Sequence, residues 1–214
     1  MEAKEIKLGT AIISLLVIAA IEIAIRLLTD RQLIMPLAGL GLARLAEIIF
    51  LLILVKRREK SLSAIGLAST GIYAGLKRGL IWAVLFGLAA GATLFIIYLL
   101  GINVPTLFRM QLPAGIPELA AFFLMGAIIG PVAEEIFFRG ILYGFFRKWG
   151  VLAALILSTL FFVFPHTSGN TLPVTQLIGG ILFAVAYELE KNLLVPITIH
   201  CLGNLAIFSL AAAI

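Results

Sequence analysis

The segment that decides the fold is residues 118–149, which read ELAAFFLMGAIIGPVAEEIFFRGILYGFFRKW. A membrane span needs about 20 mostly apolar residues, so this segment is long enough to be one. It nevertheless contains two adjacent acids and a base, Glu134, Glu135 and Arg139. A charged side chain at the bilayer centre costs at least about 2.5–3.5 kcal/mol on insertion scales. Each of these three charges therefore needs a partner or a function.

The whole chain has the composition of a membrane protein. Of its 214 residues, 62% are hydrophobic and 13% are charged, whereas soluble domains average roughly 25% charged residues. This excludes a soluble globule. The single cysteine, Cys201, excludes an intramolecular disulfide and a thiolate metal cluster.

We predict an all-α, polytopic integral membrane protein with about seven transmembrane helices. The spans are predicted at 8–28, 33–55, 79–100, 118–149, 151–164, 174–189 and 193–214, with an interfacial helix at 61–78 and a loop at 101–117. Residues 1–117 thus contain three spans and residues 118–214 a four-span core, within one integrated membrane domain. A kink is predicted at Gly130 and Pro131, because proline lacks the amide that a helix needs.

The basic residues predict the orientation of the chain. With the N-terminus in the cytoplasm, eleven of the 16 lysines and arginines face the cytoplasm and two face outside, while three lie within spans. This agrees with the positive-inside rule. The net charge of +5 therefore indicates membrane topology rather than nucleic acid as a partner. We expect a multi-pass protein of the cell membrane whose C-terminus lies opposite the N-terminus.

Charged residues within the predicted spans can be paired along their own helices, since residues three or four apart share a helix face. The pairs are Glu22 with Arg26, Arg44 with Glu47, and Glu135 with Arg139. The first two pairs are interpreted as structural contacts. Glu134 is left without a charged partner, and a buried carboxyl of this kind is a candidate general base.

Two histidines and an asparagine accompany Glu134 at similar depth. At 1.5 Å per residue from the cytoplasmic helix ends, His166, His200 and Asn204 all lie in the middle or outer part of a hydrocarbon core about 30 Å thick. Asn204 follows His200 by four residues, so both project from one helix face. The pattern predicts acid–base hydrolysis: Glu134, assisted by His166, deprotonates water, and His200 and Asn204 donate hydrogen bonds to the oxyanion of an amide. Glu135 and Arg139 hold the helix and keep a positive charge nearby.

Three motifs carry a family resemblance. They are Glu134-Glu135 followed by three residues and Arg139, with Pro131 before them; Phe162 four residues before His166; and His200 four residues before Asn204. In this order they resemble the CPBP family of intramembrane proteases, which includes type II CAAX prenyl endopeptidases and bacterial relatives linked to bacteriocin self-immunity.

The resemblance covers about residues 118–210 and implies a helical membrane endopeptidase. It also implies that the first glutamate and first histidine activate water, while the second histidine and the asparagine stabilise the oxyanion. The sequence departs from the family at Pro165 and in the charged stretch 188–191, and both departures bear on the shape of the substrate.

Several alternatives stay open at this point. Zinc could be held by Glu134, His166 and His200, with water as the fourth ligand. We favour a mechanism without metal or other cofactor, because Glu134 would otherwise be used as a ligand and no base would remain. A proton-coupled transporter and a non-catalytic immunity or scaffold protein are the other classes. The expected partners are the lipid bilayer and a membrane-associated peptide or protein, either a prenylated C-terminus or a peptide precursor.

Overall fold

The computed structural model describes residues 5–167 and 173–214, and no strand occurs among them. The helices of these residues are α1 (Leu8–Asp30), α2 (Pro36–Arg58), α3 (Ile72–Leu99), α4 (Ile116–Trp149), α5 (Val151–His166), α6 (Val174–Glu190) and α7 (Leu194–Ala212). The predicted all-α class is confirmed. The predicted polar connection between α5 and α6 lies partly outside the described residues.

Within residues 5–167 and 173–214, five helices, α1 to α4 and α7, are long and apolar enough to cross a membrane. Helix α5 is apolar but shorter, and α6 has 17 residues. At 1.5 Å per residue, α6 is about 25 Å long, slightly less than the roughly 30 Å hydrocarbon core. Large apolar side chains such as Leu16, Leu88 and Leu152 are exposed on the outside of the helices, as expected for a surface in contact with lipid. The chain is a polytopic membrane protein.

Helix α4 continues through Pro131 because its hydrogen-bond pattern changes locally. A π-helical turn at Met125–Ile129 precedes the proline, and a second π-helical stretch covers Ile136–Tyr143. A π turn absorbs one extra residue and relaxes the backbone ladder where the proline amide is missing. The π turn thus directly precedes Gly130 and Pro131, where the sequence predicts a kink. The two π segments enclose Gly130–Glu135, which carries the glutamate pair.

The interfacial helix predicted at 61–78 is wrong. Two short 3₁₀ turns, Leu62–Ile65 and Ser69–Gly71, lead into α3, which already contains Lys77 and Arg78. Gly66 ends the first turn in the left-handed conformation, with φ of 76°. A Cβ at this position would lie 3.0 Å from the backbone nitrogen of Leu193. Glycine therefore permits both the positive φ and the close contact with the backbone of Leu193.

The loop predicted at 101–117 is only partly correct. It contains a 3₁₀ turn at Val104–Phe108, and α4 begins at Ile116, two residues earlier than expected. Pro117 lies in the first turn of α4, where the missing amide costs no helical hydrogen bond.

The predicted pair of Glu22 and Arg26 is also wrong. Arg26 lies on the outside of α1 with its side chain 84% exposed, and it contacts Asp30 at 3.8 Å. Glu22 is instead 2.8 Å from Arg44 of α2. Arg44 also donates to Glu47 at 2.6 Å, as predicted. The packing of α1 against α2 decides this pairing, which spacing along α1 cannot show.

Charged contacts gather at one end of the helix bundle. They join Lys7 to Glu59, Arg147 and Lys191 to Glu188, and Arg78 to Glu190. The Ile6 backbone also donates to the Gly144 carbonyl at 3.5 Å, which connects the start of α1 to α4. The stretch 188–191, where the sequence departs from the family, therefore ties α6 to α3 and α4.

Candidate active site

Glu135 is the centre of a buried polar network. Its side chain is fully buried, and Oε1 accepts a hydrogen bond from Arg139 Nη1 at 2.9 Å. The same oxygen is 2.8 Å from His200 Nδ1. The predicted pairing of Glu135 with Arg139 is confirmed, and Glu135 in addition connects α4 to α7.

Arg139 is buried with its positive charge among aromatic rings. Its Nη2 donates to the Gly180 carbonyl of α6 at 3.1 Å. Its guanidinium carbon lies 4.4 Å from the ring centre of Phe162 and 5.3 Å from that of Phe183, within the range of cation–π attraction. A buried charge is tolerated only when such contacts replace water. Arg139 on α4 therefore contacts both α5 and α6.

His200 is oriented by one carboxylate and faces a second. Its ring stacks on Phe183 with 4.6 Å between ring centres, while Nδ1 is occupied by Glu135. A carboxylate accepts hydrogen bonds, so Nδ1 carries the proton in this contact. The other nitrogen, Nε2, is 3.8 Å from Glu134 Oε2. Glu135 thus sets which ring nitrogen is turned toward Glu134.

Glu134 and Glu135 differ in burial. The Glu134 side chain is 18% exposed, whereas that of Glu135 is 0% exposed. Glu134 has no salt-bridge partner on its own helix among the described residues, in line with the sequence, but it faces His200 across the bundle. Glu134 is therefore the more accessible of the two carboxylates.

His166 is the last residue of α5. Its Nδ1 is 2.8 Å from the Phe162 carbonyl, and its ring centre is 5.0 Å from that of Phe162. Pro165, one of the departures from the family, lies in the 3₁₀ turn Phe164–His166 that ends the helix. In the described part of the chain no hydrogen bond joins His166 to Glu134. The Phe162 ring is close to both imidazoles, with 5.9 Å to His200.

Asn204 lies on the same face of α7 as His200 but contacts a different group. Its Nδ2 donates to the Gly126 carbonyl at 2.9 Å, within the π turn of α4. The amide has two N–H groups, and one of them is used in this bond. The two side chains therefore do not converge on one point through these bonds, and their role at an oxyanion stays a prediction.

The three residues considered as zinc ligands do not form a metal-binding group. No three His, Cys, Asp or Glu side chains lie close enough together to hold a metal ion in the residues that the structure describes, which include all three candidates. These donors do not fit a three-ligand zinc site in this arrangement, and we derive no step through a metal.

Two residues near the site were not identified from the sequence. Phe183 stacks on His200, and Gly180 accepts a hydrogen bond from Arg139. The Gly179-Gly180 pair inside a predicted span was an available signal for close helix packing.

Known proteins resemble the second half of the chain. Residues 116–206 match the Rce1-like family of type II CAAX prenyl endopeptidases, and this match confirms the resemblance drawn from the motifs. The membrane-embedded CAAX protease MroQ of Staphylococcus aureus (strain USA300) is 33% identical over 94 residues, which are 41% of this chain and 38% of that protein. The UPF0177 protein YaiH of Lactococcus lactis subsp. lactis (strain IL1403) is 32% identical over 82 residues, which are 38% of this chain and 34% of that protein.

The matches thus cover little more than a third of either curated relative. No solved structure gives a significant match to the chain. The matched region runs from the start of α4 into α7 and contains every residue of the candidate site.

Proposed function

We propose that this protein is an intramembrane endopeptidase that hydrolyses a peptide bond of a membrane-associated substrate. The observation that carries the proposal is the contrast within the glutamate pair. Glu135 is fully buried and holds both Arg139 and His200, whereas Glu134 is partly exposed and lies 3.8 Å from His200 Nε2. One carboxylate thus supports the site while its neighbour is accessible for chemistry.

The proposed reaction is an acid–base hydrolysis. Glu134, assisted by His166, accepts a proton from a water molecule while the water oxygen bonds to the carbonyl carbon of the substrate. The carbonyl oxygen becomes an oxyanion, which accepts hydrogen bonds from His200 Nε2–H and from the second N–H of Asn204. The C–N bond then breaks, and the proton held by Glu134 passes to the departing amine. Donation from Nε2 requires the doubly protonated ring of His200, whose charge Glu134 and Glu135 balance.

The two substrate classes that we propose are a prenylated CAAX-type C-terminus and a membrane-associated peptide precursor. The family match and the name of the staphylococcal relative support the first class. The apolar exterior of the helices supports a bilayer as the environment in which either substrate is met.

The test compares new peptide termini in membranes of cells that express the wild type, Glu134→Gln or Glu118→Gln. Glu118 lies on the same helix and is exposed outside the site, so its variant is the matched control. His166→Ala is compared in the same way. We expect new peptide termini in the wild type and in Glu118→Gln, and none of them in Glu134→Gln or His166→Ala. Asn204→Ala should retain a small part of the activity, because one oxyanion donor contributes roughly 10²–10³-fold. Identical termini in wild type and Glu134→Gln would contradict a catalytic function and favour a scaffold or immunity role.

We propose that hydrolysis needs no metal. Cleavage by the purified protein should therefore be unchanged by a chelator such as phenanthroline. Loss of cleavage with the chelator, restored by added zinc, would establish the metalloprotease alternative instead.

A further inference from the structure

Phe183 of α6 lies nearly parallel to the imidazole of His200 on α7. The two ring centres are 4.6 Å apart, and the ring planes differ by 23°. Offset stacking of this kind is a favourable contact between flat rings. Phe183 is buried, with 9% of its surface exposed. The stack therefore joins α6 to α7 directly at the candidate site.

Contacts on α6 and α4 hold the Phe183 ring in place. Side chains of a helix lean toward its N-terminus, so residue 183 covers the turn that contains residue 179. A Cβ on Gly179 would lie 3.2 Å from Phe183 Cε2 and 3.3 Å from Cζ, which is tighter than ordinary packing. From α4, the Arg139 guanidinium carbon lies 5.3 Å from the Phe183 ring centre. The ring thus has a defined position against which the imidazole can rest.

The hydrogen bond to Glu135 leaves the plane of the His200 ring free to turn. Nδ1 is 2.8 Å from Glu135 Oε1, but the outer torsion of a histidine side chain has broad energy wells. Rotation of the ring would move Nε2, which lies 3.8 Å from Glu134 Oε2. The flat face of Phe183 opposes this rotation. The Phe162 ring limits it from a second direction, at 81° to the imidazole and 5.9 Å away.

We propose that Phe183 is a positioning residue for hydrolysis, which fixes the plane of the His200 ring and so directs Nε2 toward Glu134. This inference rests on the proposed function, in which His200 Nε2–H donates to the oxyanion. Such a donor is most effective when it is already aimed at the place where the charge develops. A misplacement of about 1 Å can cost roughly 10²-fold in rate. A ring that turns freely would therefore be a weaker donor.

The test measures cleavage by the purified full chain in vesicles of phosphatidylethanolamine and phosphatidylglycerol. The probe is an internally quenched peptide that contains a cleavage site found to depend on Glu134. Phe183→Leu keeps an apolar side chain and removes the flat ring. We expect kcat to fall about tenfold, equivalent to roughly 1.4 kcal/mol, with KM nearly unchanged because Phe183 is buried. Phe183→Tyr should recover most of this loss, because it restores a ring that stacks.

A second background separates an effect on His200 from a general loosening of the bundle. His200→Gln removes the imidazole, and its residual cleavage is followed with enzyme in excess over peptide. In this background we expect Phe183→Leu to change the rate by less than about twofold, since no imidazole remains to be oriented.

Phe146→Leu is the matched control for the loss of a buried ring. Phe146 of α4 is 8% exposed, and its ring contacts those of Trp149 and Phe161, with 5.9 and 5.7 Å between centres. We expect this variant to keep the wild-type kcat. Thermal unfolding of each variant in detergent shows which of them are folded.

Four results would each overturn the inference. They are wild-type kcat in folded Phe183→Leu, an equal loss in Phe146→Leu, no recovery in folded Phe183→Tyr, and an undiminished effect of Phe183→Leu in the His200→Gln background. If Phe183→Leu does not fold, Phe183→Met replaces it in every comparison, because its flexible side chain fills the volume without a flat ring. Failure of the proposed function is recognised separately, because no cleavage site would then depend on Glu134.

Discussion

The two adjacent glutamates of α4 differ in burial and in their hydrogen-bond partners. Single substitutions can test this difference. Glu135 accepts from two donors and is fully buried, while Glu134 is partly exposed and faces one histidine nitrogen. A carboxylate that compensates a buried arginine is a structural requirement. The more accessible carboxylate is the one that we propose as the base.

We expect Glu135→Gln to destabilise the fold and Glu134→Gln to leave it nearly unchanged. Removing one partner of a buried ion pair costs about 3–5 kcal/mol, because the other charge stays buried without compensation. Glu135→Gln leaves Arg139 in this situation. Thermal unfolding of both variants in the same detergent is the measurement, and equal melting temperatures would show that Glu135 has no such role.

At the scale of elements, the site depends on helices that approach each other closely. Gly180 of α6 lies against α5: a Cβ there would be 2.9 Å from Thr159 Cγ2 and 3.3 Å from Phe162. The Gly180 carbonyl is also the acceptor for Arg139 Nη2. The absence of a side chain therefore serves both the packing of α5 on α6 and the position of the buried arginine.

Gly180→Leu should lower the free energy of unfolding by about 1–3 kcal/mol, the usual cost of overpacking, and should reduce cleavage. The added side chain forces α5 and α6 apart and moves Phe162. Gly91→Leu is the control, because Gly91 of α3 has no atom within 4 Å of a Cβ placed on it. Equal effects of the two substitutions on unfolding would mean that the glycine contact at α6 is unimportant.

At the scale of the whole molecule, one end of the bundle is tied together by ion pairs. Glu188 accepts from Tyr143 at 2.8 Å and from Arg147 Nη2 at 2.9 Å, and it contacts Lys191. Glu190 accepts from Trp82 at 2.9 Å and pairs with Arg78. The charged stretch 188–191 therefore joins α6 to α3 and to the C-terminal end of α4.

Glu188→Gln should lower stability by roughly 1–3 kcal/mol, because it weakens three charge-assisted contacts at once. Its kcat/KM on a Glu134-dependent peptide should remain close to that of the wild type. Melting temperature and cleavage are measured on the same preparation. A change in the preferred cleavage site would instead assign these residues to substrate recognition.

The orientation of the chain can be tested with single cysteines, since Cys201 is the only cysteine. In a Cys201→Ser background, Arg109→Cys should react with a membrane-impermeant maleimide in intact cells. Lys60→Cys should react only after permeabilisation, because the positive-inside rule places this end in the cytoplasm. Both positions are exposed. The opposite labelling pattern would reverse the proposed topology.

Much of the architecture follows from the sequence because it depends on local pattern. Long apolar segments require helices in a bilayer, since only internal hydrogen bonds satisfy their backbone. The Glu135–Arg139 and Arg44–Glu47 pairs follow from the helix period, and the three motifs indicate which family the second half resembles. Connections were predicted less well, because the 3₁₀ turns at 62–71 depend on a glycine that contacts the backbone of a distant helix.

The tertiary structure alone decides which charges meet across helices. Spacing along α1 pairs Glu22 with Arg26, yet Glu22 turns toward Arg44 and Arg26 turns outward. The sequence likewise identifies Glu134 as an acid without a charged partner and predicts His200 at a similar depth, but it does not show that the two side chains approach each other to 3.8 Å. The helix period determines which residues share a face of one helix. Which face meets which neighbour depends on how every helix in the bundle is rotated and packed.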